Sequence, residues 1–370
     1  MTAGRQAWFW LAGLAFTGLA LWMLSSILLP FVAGMAVAYF LDPATDRIEA
    51  WGASRTVATS LITAAFFLIL ILLALLLVPL LQSQIVEIAT RVPGWLAGLR
   101  DVLETLLLRL QAEVSPEDLE RLREAATGWI DDALAWLAAL FGNIVSGGVA
   151  LANLLGLLFI TPVVSFYLLR DWDRLTAHVD GWLPRHRADT IREQIRLIDQ
   201  TLAGFVRGQG LVCIFLGAFY GIALTLAGLK FGLVVGLIAG LISFIPYAGS
   251  GAGLLLSVGL AIDQFDAFSD PSGWVRVGIV AAIFLVGQFV EGNILSPRLV
   301  GGRVRLHAVW IIFALLAGGA LLGFLGVLLA VPVAAVIGVL FRFALGRYLE
   351  SSLYRGPGGG GEPPAPAAGP

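Results

Sequence analysis

The chain has 370 residues, of which 59% are hydrophobic and 13% are charged, with a formal net charge of −2. This balance leaves no excess of basic charge for nucleic-acid binding, and the single lysine, Lys230, excludes a Walker-type ATP site because Phe231 follows it. Three scattered histidines, one cysteine and no HExxH pattern give no zinc site and no disulfide within the chain, so we predict a protein that is not an enzyme and has no cofactor.

Long blocks of the chain carry no charge, which indicates helices that cross a membrane. A spanning helix needs roughly 20 apolar residues to cross a hydrocarbon core about 30 Å thick. Backbone groups in lipid must bond within their own segment, so such blocks form helices rather than open strands. We therefore predict an all-α polytopic membrane protein embedded in the lipid bilayer. The uncharged blocks lie between Arg5 and Asp42, Arg55 and Glu87, Asp132 and Arg170, Arg207 and Lys230, Lys230 and Asp263, and Arg305 and Arg342.

Residues 1–81 are predicted to form three N-terminal transmembrane helices. Pro30 cannot donate a hydrogen bond to the preceding turn, so we expect it to break or kink the helix. Asp42 and Pro43 are expected to mark the end of the second helix, which is short for a full span and must therefore extend into the loop or lie at a slant. The three predicted helices are Gln6–Leu29, Phe31–Leu41 and Val57–Leu81.

Residues 82–143 change character and are predicted to form a small acidic helical region outside the membrane. Apolar side chains recur there every three to four positions, which is typical of an amphipathic helix. Ser115 and Pro116, followed by two acidic residues, have the pattern of a helix start. The apolar face can pack on the membrane spans or on a second subunit, and the sequence leaves both uses open.

A fourth transmembrane helix is predicted over residues 144–169, followed by an Arg-rich amphipathic segment over 170–207. Residues 208–345 are predicted to form a C-terminal transmembrane core, and the Gly/Pro-rich tail over 346–370 is predicted to be disordered. The core is expected to contain a fifth helix, a glycine-rich hairpin broken at Pro246, a further helix, a polar loop and a second broken hairpin. These elements are Gly208–Gly228, Phe231–Ile262, Trp274–Val290, Glu291–Arg305 and His307–Phe341.

The two broken blocks share a sequence pattern. Leu237–Gly240 reads Leu-Ile-Ala-Gly, Leu315–Gly318 reads Leu-Leu-Ala-Gly, and each block contains a central glycine or proline interruption. Paired interrupted segments of opposite sense indicate a transport site near the middle of the membrane. The small residues alternatively serve close packing of helices, and this simpler interpretation stays open.

The distribution of arginine predicts that both termini lie in the cytoplasm. Arginine and lysine near the ends of spans mark the cytoplasmic side of a membrane protein. With the N-terminus inside, the acidic region 82–143 and the loop 263–273 fall outside, whereas the Arg-bearing segments 170–207 and 291–305 fall inside. The reversed orientation places all of these segments on the wrong side.

Ionisable and polar residues within apolar spans are costly to bury and are therefore functional candidates. Glu291 follows an apolar span, with the amides of Gln288 and Asn293 beside it. It is a candidate to exchange protons or to bind a cation, and the alternative is a polar helix end. Arg207 and Gln209 open the fifth helix, where they either bind a substrate anion or mark the membrane interface.

Two further residues are candidates for the transport site. Tyr247 beside Pro246 places a hydroxyl at a predicted helix break, where freed backbone groups also coordinate ligands. Histidine titrates near physiological pH, so His307 is a candidate proton relay, and its alternative is a position at the membrane interface. No set of residues predicts a metal site.

Several motifs of the chain resemble the AI-2E family of transporters, named for the export of autoinducer-2. The resemblance covers nearly the whole chain except the tail, and one departure is Ala308, where relatives often have proline. The motifs that carry it are PVVSFYLLRD over Pro162–Asp171, RGQ over Arg207–Gln209, FIPY over Phe244–Tyr247, EGN over Glu291–Asn293, and the run Gly318–Pro332.

The resemblance implies about eight spans and a homo-oligomer, with a pentamer as the expected form, in the inner membrane of a bacterial cell. It implies secondary transport driven by an ion gradient and not by ATP. The substrate is then either a small polar solute similar to autoinducer-2, as in quorum sensing, or sodium or lithium exchanged for protons. The alternative is a membrane scaffold or envelope-stress partner that acts through residues 82–143.

The arginine distribution predicts which loops an external reagent reaches. In a Cys213→Ala background, single cysteines placed in 115–130 should react with a membrane-impermeant maleimide on intact cells. Cysteines placed in 180–190 should react only after the cells are permeabilised, because that segment lies inside. The opposite labelling pattern would overturn the predicted orientation.

Overall fold

The structure is a computed structural model of the chain. It describes residues 8, 12–13, 16, 18, 20, 23–77, 120–121, 123–124, 127–128, 148–246, 248–267, 270–300 and 307–355. Every regular element in these residues is a helix, and five helices are long and apolar enough to cross a membrane, which confirms the predicted all-α polytopic fold class. Most of the acidic region 82–143, residue Tyr247 and the tail beyond Arg355 lie outside the described residues.

The helices of the described chain are α1 Ser25–Ala50, α2 Arg55–Leu77, α3 Gly148–Gly181, α4 Ala188–Leu226, α5 Gly232–Ile242, α6 Ala248–Gln264, α7 Pro271–Val290, α8 Ala308–Glu350 and α9 Ser352–Arg355. A π-helical segment, Glu291–Val300, continues α7. The chain divides into two compact units. Unit 1 comprises Met1–Trp172 and Val206–Leu299, and unit 2 comprises Asp173–Phe205 and Val300–Pro370.

Helix α1 continues through Pro30 and Pro43 to Ala50, so neither proline breaks the helix, the predicted end at Asp42 and Pro43 is wrong, and the second predicted helix extends into the loop. A proline inside a helix leaves the carbonyl four residues earlier without its amide donor. For Pro43 that carbonyl belongs to Tyr39, and Nε of Arg207 donates to it at 2.7 Å. The helix remains continuous because a side chain from α4 supplies the missing donor. It begins at Ser25 rather than at the predicted Phe31.

Helix α1 packs closely against α3 through small residues in unit 1. A Cβ atom on Gly34 would overlap the side chain of Val164. The hydroxyls of Thr161 and Ser165 donate to the carbonyls of Pro30 and Gly34 at 3.3 and 3.0 Å. Small residues that let backbones approach, and hydroxyls that bond across the contact, are typical of helix packing in membranes.

Helices α3 and α4 are longer than the predicted spans. Helix α3, which corresponds to the predicted fourth transmembrane helix, extends beyond Leu169 to Gly181. The Arg-rich segment 170–207 is divided between the end of α3, a turn over 182–187 and the start of α4. Within unit 2, Nε and Nη2 of Arg192 donate to the carboxylate of Asp180 at 2.6 and 2.8 Å. These hydrogen bonds lower the pKa of Asp180 from its ordinary value.

The first glycine-rich block forms two helices, α5 and α6, on either side of the predicted break at Pro246. Helix α5 contacts α4 backbone to backbone, since a Cβ atom on Gly236 or Gly240 would overlap the main chain at Gly221 or Gly217. The glycine of the Leu237–Gly240 pattern therefore serves close packing. This contact places the break between α5 and α6 beside α4.

Helix α7 has a regular cap at its N-terminus and changes helix type at its C-terminus. The Asp270 carboxylate accepts from the Ser272 amide at 2.9 Å, and hydrogen bonds from Ser272 lower the pKa of Asp270. At the other end, the predicted polar loop Glu291–Arg305 is wrong for Glu291–Val300, which is π-helical and continuous with α7. Because π-helical turns are rare and frequent at functional sites, the change of helix type at Glu291 marks this end of α7 for closer attention.

The second glycine-rich block, in unit 2, forms α8 and breaks at Gly323 rather than at Pro332. Gly323 has a φ of 59° and a ψ of −137°, a conformation open to glycine. Gly318 and Gly326 contact each other across this turn, since a Cβ atom on either would overlap the other's backbone. The arm from Ala308 to Leu322 rises only about 22 Å, which is the length of a re-entrant arm and not of a full span.

Replacing Gly240 with alanine should weaken the α4–α5 contact, because its Cβ would overlap the Gly217 backbone and no flexible side chain can move away. We expect a cost of about 1–3 kcal/mol in the free energy of unfolding. The matched control is Gly217→Ala, whose Cβ has its nearest neighbour at an ordinary 3.7 Å. Thermal unfolding of the two purified variants measures the difference, and equal melting temperatures would contradict the backbone contact.

Candidate functional site

A buried side chain from α4 forms a hydrogen bond with the backbone at the break between α5 and α6. Nε2 of Gln209 donates to the Ser243 carbonyl at 2.6 Å, and the Ser243 hydroxyl donates to the Ala239 carbonyl at 2.8 Å. A helix C-terminus leaves carbonyls without partners in the helix, and these two side chains supply donors there. Gln209, which the sequence indicates as a candidate substrate contact, thus stabilises the backbone at the break. Pro246 lies within the break, between α5 and α6.

Glycines bring the start of α6 against its neighbours. A Cβ atom on Gly249 would overlap atoms of Ala239 and Ser243, and one on Gly253 would overlap the ring of Phe284. Ser250 lies on the same buried face, and its hydroxyl donates to Oε1 of Gln288 at 2.5 Å. The helix break and α7 are therefore joined by a polar contact.

The Ser250 contact leads to Glu291. Nε2 of Gln288 donates to Oε2 of Glu291 at 3.5 Å, which is long for a hydrogen bond. The Glu291 side chain is 8% exposed, at the point where α7 becomes π-helical. Within the described ranges no basic side chain makes an ion pair with it. An ionised carboxylate buried without an opposite charge is costly, so such a group binds a proton or a cation.

Tyr220 on α4, which was not identified from the sequence, lies against α7 at Gly287, about one helical turn before Glu291. Its ring stacks on Phe284 with centroids 4.5 Å apart and planes inclined by 25°. The Tyr220 side chain is 0% exposed, and its hydroxyl has no hydrogen-bond partner among the described residues. The available sequence signal was a tyrosine inside an uncharged apolar block.

We call this group the Glu291 site, which consists of Tyr220, Ser250, Gln288 and Glu291. It presents carboxylate, amide and hydroxyl oxygens. Oxygen ligands of this kind bind small hard cations or accept hydrogen bonds from polar solutes. With its one charge negative, the site does not suit an anion. In the described part of the chain there is no cluster of three or more His, Cys, Asp or Glu that would hold a metal ion.

Two predicted site residues occupy other positions. Asn293 is exposed, and its Nδ2 donates to the Phe289 carbonyl at 2.9 Å, so its amide turns away from Glu291. His307 lies in unit 2, where it is exposed and caps α8, with Nδ1 accepting from the Val309 amide at 3.3 Å. In both residues the polar side chain bonds a main-chain group close by in sequence.

Arg207 belongs to a second charged group in unit 1. Besides its bond to the Tyr39 carbonyl, its Nη2 contacts the Asp42 carboxylate at 3.0 Å. Asp42 also accepts from Arg55 at 3.1 Å, so one carboxylate joins two arginines. Arg207, a candidate anion-binding residue in the sequence, is thus already paired with an acid and a carbonyl.

Arg55, missed from the sequence, is the hub of this second group. Its guanidinium donates to Asp46 at 2.5 Å, to Glu49 at 3.1 Å and, from α2 to α3, to the Leu169 carbonyl at 3.0 Å. Three acids shortly before an arginine that opens an uncharged block were the sequence signal. The contacts bring the α1–α2 turn, Leu169 and Arg207 together in unit 1.

Comparison with known proteins gives a family match along most of the chain. The sequence model of the AI-2E family transporter matches residues 11–346. YrrI of Bacillus subtilis strain 168 is 29% identical over 328 residues, which cover 86% of this chain and 86% of that protein. PerM of Escherichia coli strain K12 is 29% identical over 85% of this chain and 86% of its own length. The AI-2 transport protein TqsA of Escherichia coli strain K12 is 25% identical, with 87% of each chain covered.

The role of Arg207 at Pro43 predicts a rescue by a second substitution. Arg207→Ala should lower the free energy of unfolding by about 1–3 kcal/mol, because it removes the donor to the Tyr39 carbonyl and one partner of Asp42. Pro43→Ala restores an amide that bonds Tyr39 within the helix. In that background Arg207→Ala should cost about 1 kcal/mol less, because only the Asp42 contact is then lost. An equal loss in both backgrounds, measured by unfolding of purified protein, would show that Arg207 does not compensate for the proline.

Proposed function

The chain belongs to the AI-2E transporter family, and from this premise we propose that it is a secondary transporter whose coupling group is the Glu291 carboxylate. The observation that supports the proposal is a buried carboxylate surrounded by amide and hydroxyl oxygens and without an ion-pair partner in the described residues. A gradient-driven carrier needs a group whose charge is satisfied by a proton in one half of the transport cycle and by the ligand in the other half. Glu291 has the chemistry for that exchange.

The coupling step follows from the cost of charge in an apolar site. An ionised, unpaired Glu291 is unfavourable at this depth, so its stable states are the protonated acid and the carboxylate that binds a cation or a hydrogen-bond donor. Loss of the proton to one side frees the carboxylate for the ligand, and release of the ligand lets the proton return. The amide of Gln288, which Ser250 holds by a hydrogen bond, directs its Nε2 toward the carboxylate.

Two substrate classes fit the proposed site. One is a small polar solute similar to autoinducer-2, which the name of the relative TqsA supports. The other is sodium or lithium exchanged for protons, which the carboxylate and its oxygen neighbours support. An anionic substrate is disfavoured, because the arginine expected to bind it, Arg207, is held by Asp42 and the Tyr39 carbonyl.

We also propose the cellular setting that the family implies. The relatives named above come from bacteria, which supports a place in the bacterial inner membrane, with both termini in the cytoplasm as the arginine pattern predicts. A homo-oligomer, with a pentamer as the expected form, remains part of this proposal. The ion gradient replaces ATP as the energy source.

Glu291→Gln should abolish gradient-driven transport while the protein still folds and assembles. The amide keeps the shape of the side chain and the bond to Gln288, but it cannot release a proton or balance a cation. The measurement is flux in proteoliposomes under sodium, lithium or proton gradients, with autoinducer-2 as the solute probe. We expect the rate to fall at least about a hundredfold, which corresponds to about 3 kcal/mol.

The matched control is Glu193→Gln, a carboxylate on the exposed surface of α4 that should transport like the parent protein. If Glu291→Gln also transports like the parent at every pH, Glu291 is only a helix end and the proposed coupling group is wrong. If the parent moves none of the probes under any gradient, transport of these classes is excluded, and the scaffold function of residues 82–143 becomes the better hypothesis.

A further inference from the structure

Four buried hydroxyls lack a hydrogen-bond partner among the described residues, and the one on Tyr220 differs from the others. A serine or threonine hydroxyl in a helix reaches a carbonyl of its own helix by rotating about one bond, as Ser165 and Ser243 do. The phenol of Tyr220 extends too far from its backbone for that solution. The three hydroxyls that rotation can satisfy are those of Thr59, Thr63 and Ser257.

Packing fixes the place to which the Tyr220 hydroxyl points. The ring stacks on Phe284, and a Cβ atom on Gly287 would overlap both the ring and the hydroxyl oxygen. The missing side chain at Gly287 therefore makes room for the hydroxyl against α7. The amide of Glu291 donates to the Gly287 carbonyl, so the two residues lie on one face of α7, about one turn apart. The phenol therefore lies against α7 about one helical turn before Glu291, on the face from which the Glu291 side chain projects.

We propose that the Tyr220 hydroxyl is a ligand-binding group of the Glu291 site, an inference that rests on the proposed function. Buried tyrosine hydroxyls normally have a partner, and this one has none among the described residues. The phenol oxygen and the carboxylate both attract an electropositive group. That group is either a monovalent cation or the hydroxyl hydrogen of a neutral solute, and it bridges Tyr220 and Glu291.

This geometry also assigns a purpose to the glycine at 287. Any larger residue there would overlap the ring and the hydroxyl of Tyr220. The end of α7 therefore carries a glycine that admits the phenol, an amide at Gln288 and, about one turn after the glycine, the carboxylate of Glu291. Ligand selectivity should depend on the phenol oxygen, because Ser250 and Gln288 already bond each other.

Tyr220→Phe tests the inference because it removes one oxygen and keeps the stacked ring. The full-length parent, Tyr220→Phe, Glu291→Gln and the exposed control Tyr167→Phe are placed in lipid nanodiscs. Each is melted with sodium chloride, lithium chloride or autoinducer-2, against choline chloride of equal concentration. Without ligand, Tyr220→Phe should melt at or above the parent temperature, because no hydrogen bond to the described residues is lost. In Tyr220→Phe the increase in melting temperature caused by ligand should disappear, and the KM for transport should increase about tenfold.

The ligand arms identify the electropositive group. An effect confined to sodium or lithium assigns it to a cation, and an effect confined to autoinducer-2 assigns it to a neutral solute. A Tyr220→Phe protein with the parent's KM and ligand-induced rise overturns the inference. A lower melting temperature without ligand, at unchanged KM, also overturns it, since the hydroxyl would then be structural. If Glu291→Gln loses transport while Tyr220→Phe does not, only this inference fails; if Glu291→Gln transports normally, the proposed function fails as well.

Discussion

Polar groups inside a membrane protein need partners from the protein itself, because hydrocarbon offers none, and this requirement organises the described chain. The Tyr39 carbonyl, freed by Pro43, is bonded by Arg207, and the Ser243 carbonyl at the break between α5 and α6 is bonded by Gln209. In both cases an irregular helix is maintained by a side chain from α4. These bonds explain how the chain tolerates Pro43 and the break between α5 and α6 within apolar blocks.

The same requirement separates structural polar residues from functional ones. Arg55, Arg207 and Gln209 each have partners that account for their presence. Among the described residues, Glu291 has one long hydrogen bond, from Gln288, and the Tyr220 hydroxyl has no partner. Tyr220 packs on Gly287, about one helical turn before Glu291, so the two incompletely bonded groups belong to the same region of unit 1. A transport function for the family gives this coincidence a physical reason, because a binding group must be free to exchange partners.

The sequence predicted features that depend on local chemistry and missed those that depend on distant contacts. Uncharged blocks predict helices whatever their neighbours are, since charge in lipid is costly in every arrangement. Gln288 lies one turn before Glu291, so their proximity could be predicted from spacing. The continuity of α1 through Pro43 could not, because its donor, Arg207, is far away in sequence. Tyr220 was missed for the same reason: it is far from Glu291 in sequence, and its ring packs on α7, about one turn from Glu291, because Gly287 has no side chain.

The most direct test of this account is infrared difference spectroscopy on binding of sodium, lithium or autoinducer-2 to the protein in nanodiscs. Exchange of a proton for the ligand should change a carboxylic acid C=O band, and contact with the phenol should change a tyrosine ring band. The account predicts that the first change is missing from Glu291→Gln and the second from Tyr220→Phe. If both changes persist in these variants, the ligand is bound by other groups and the account is wrong.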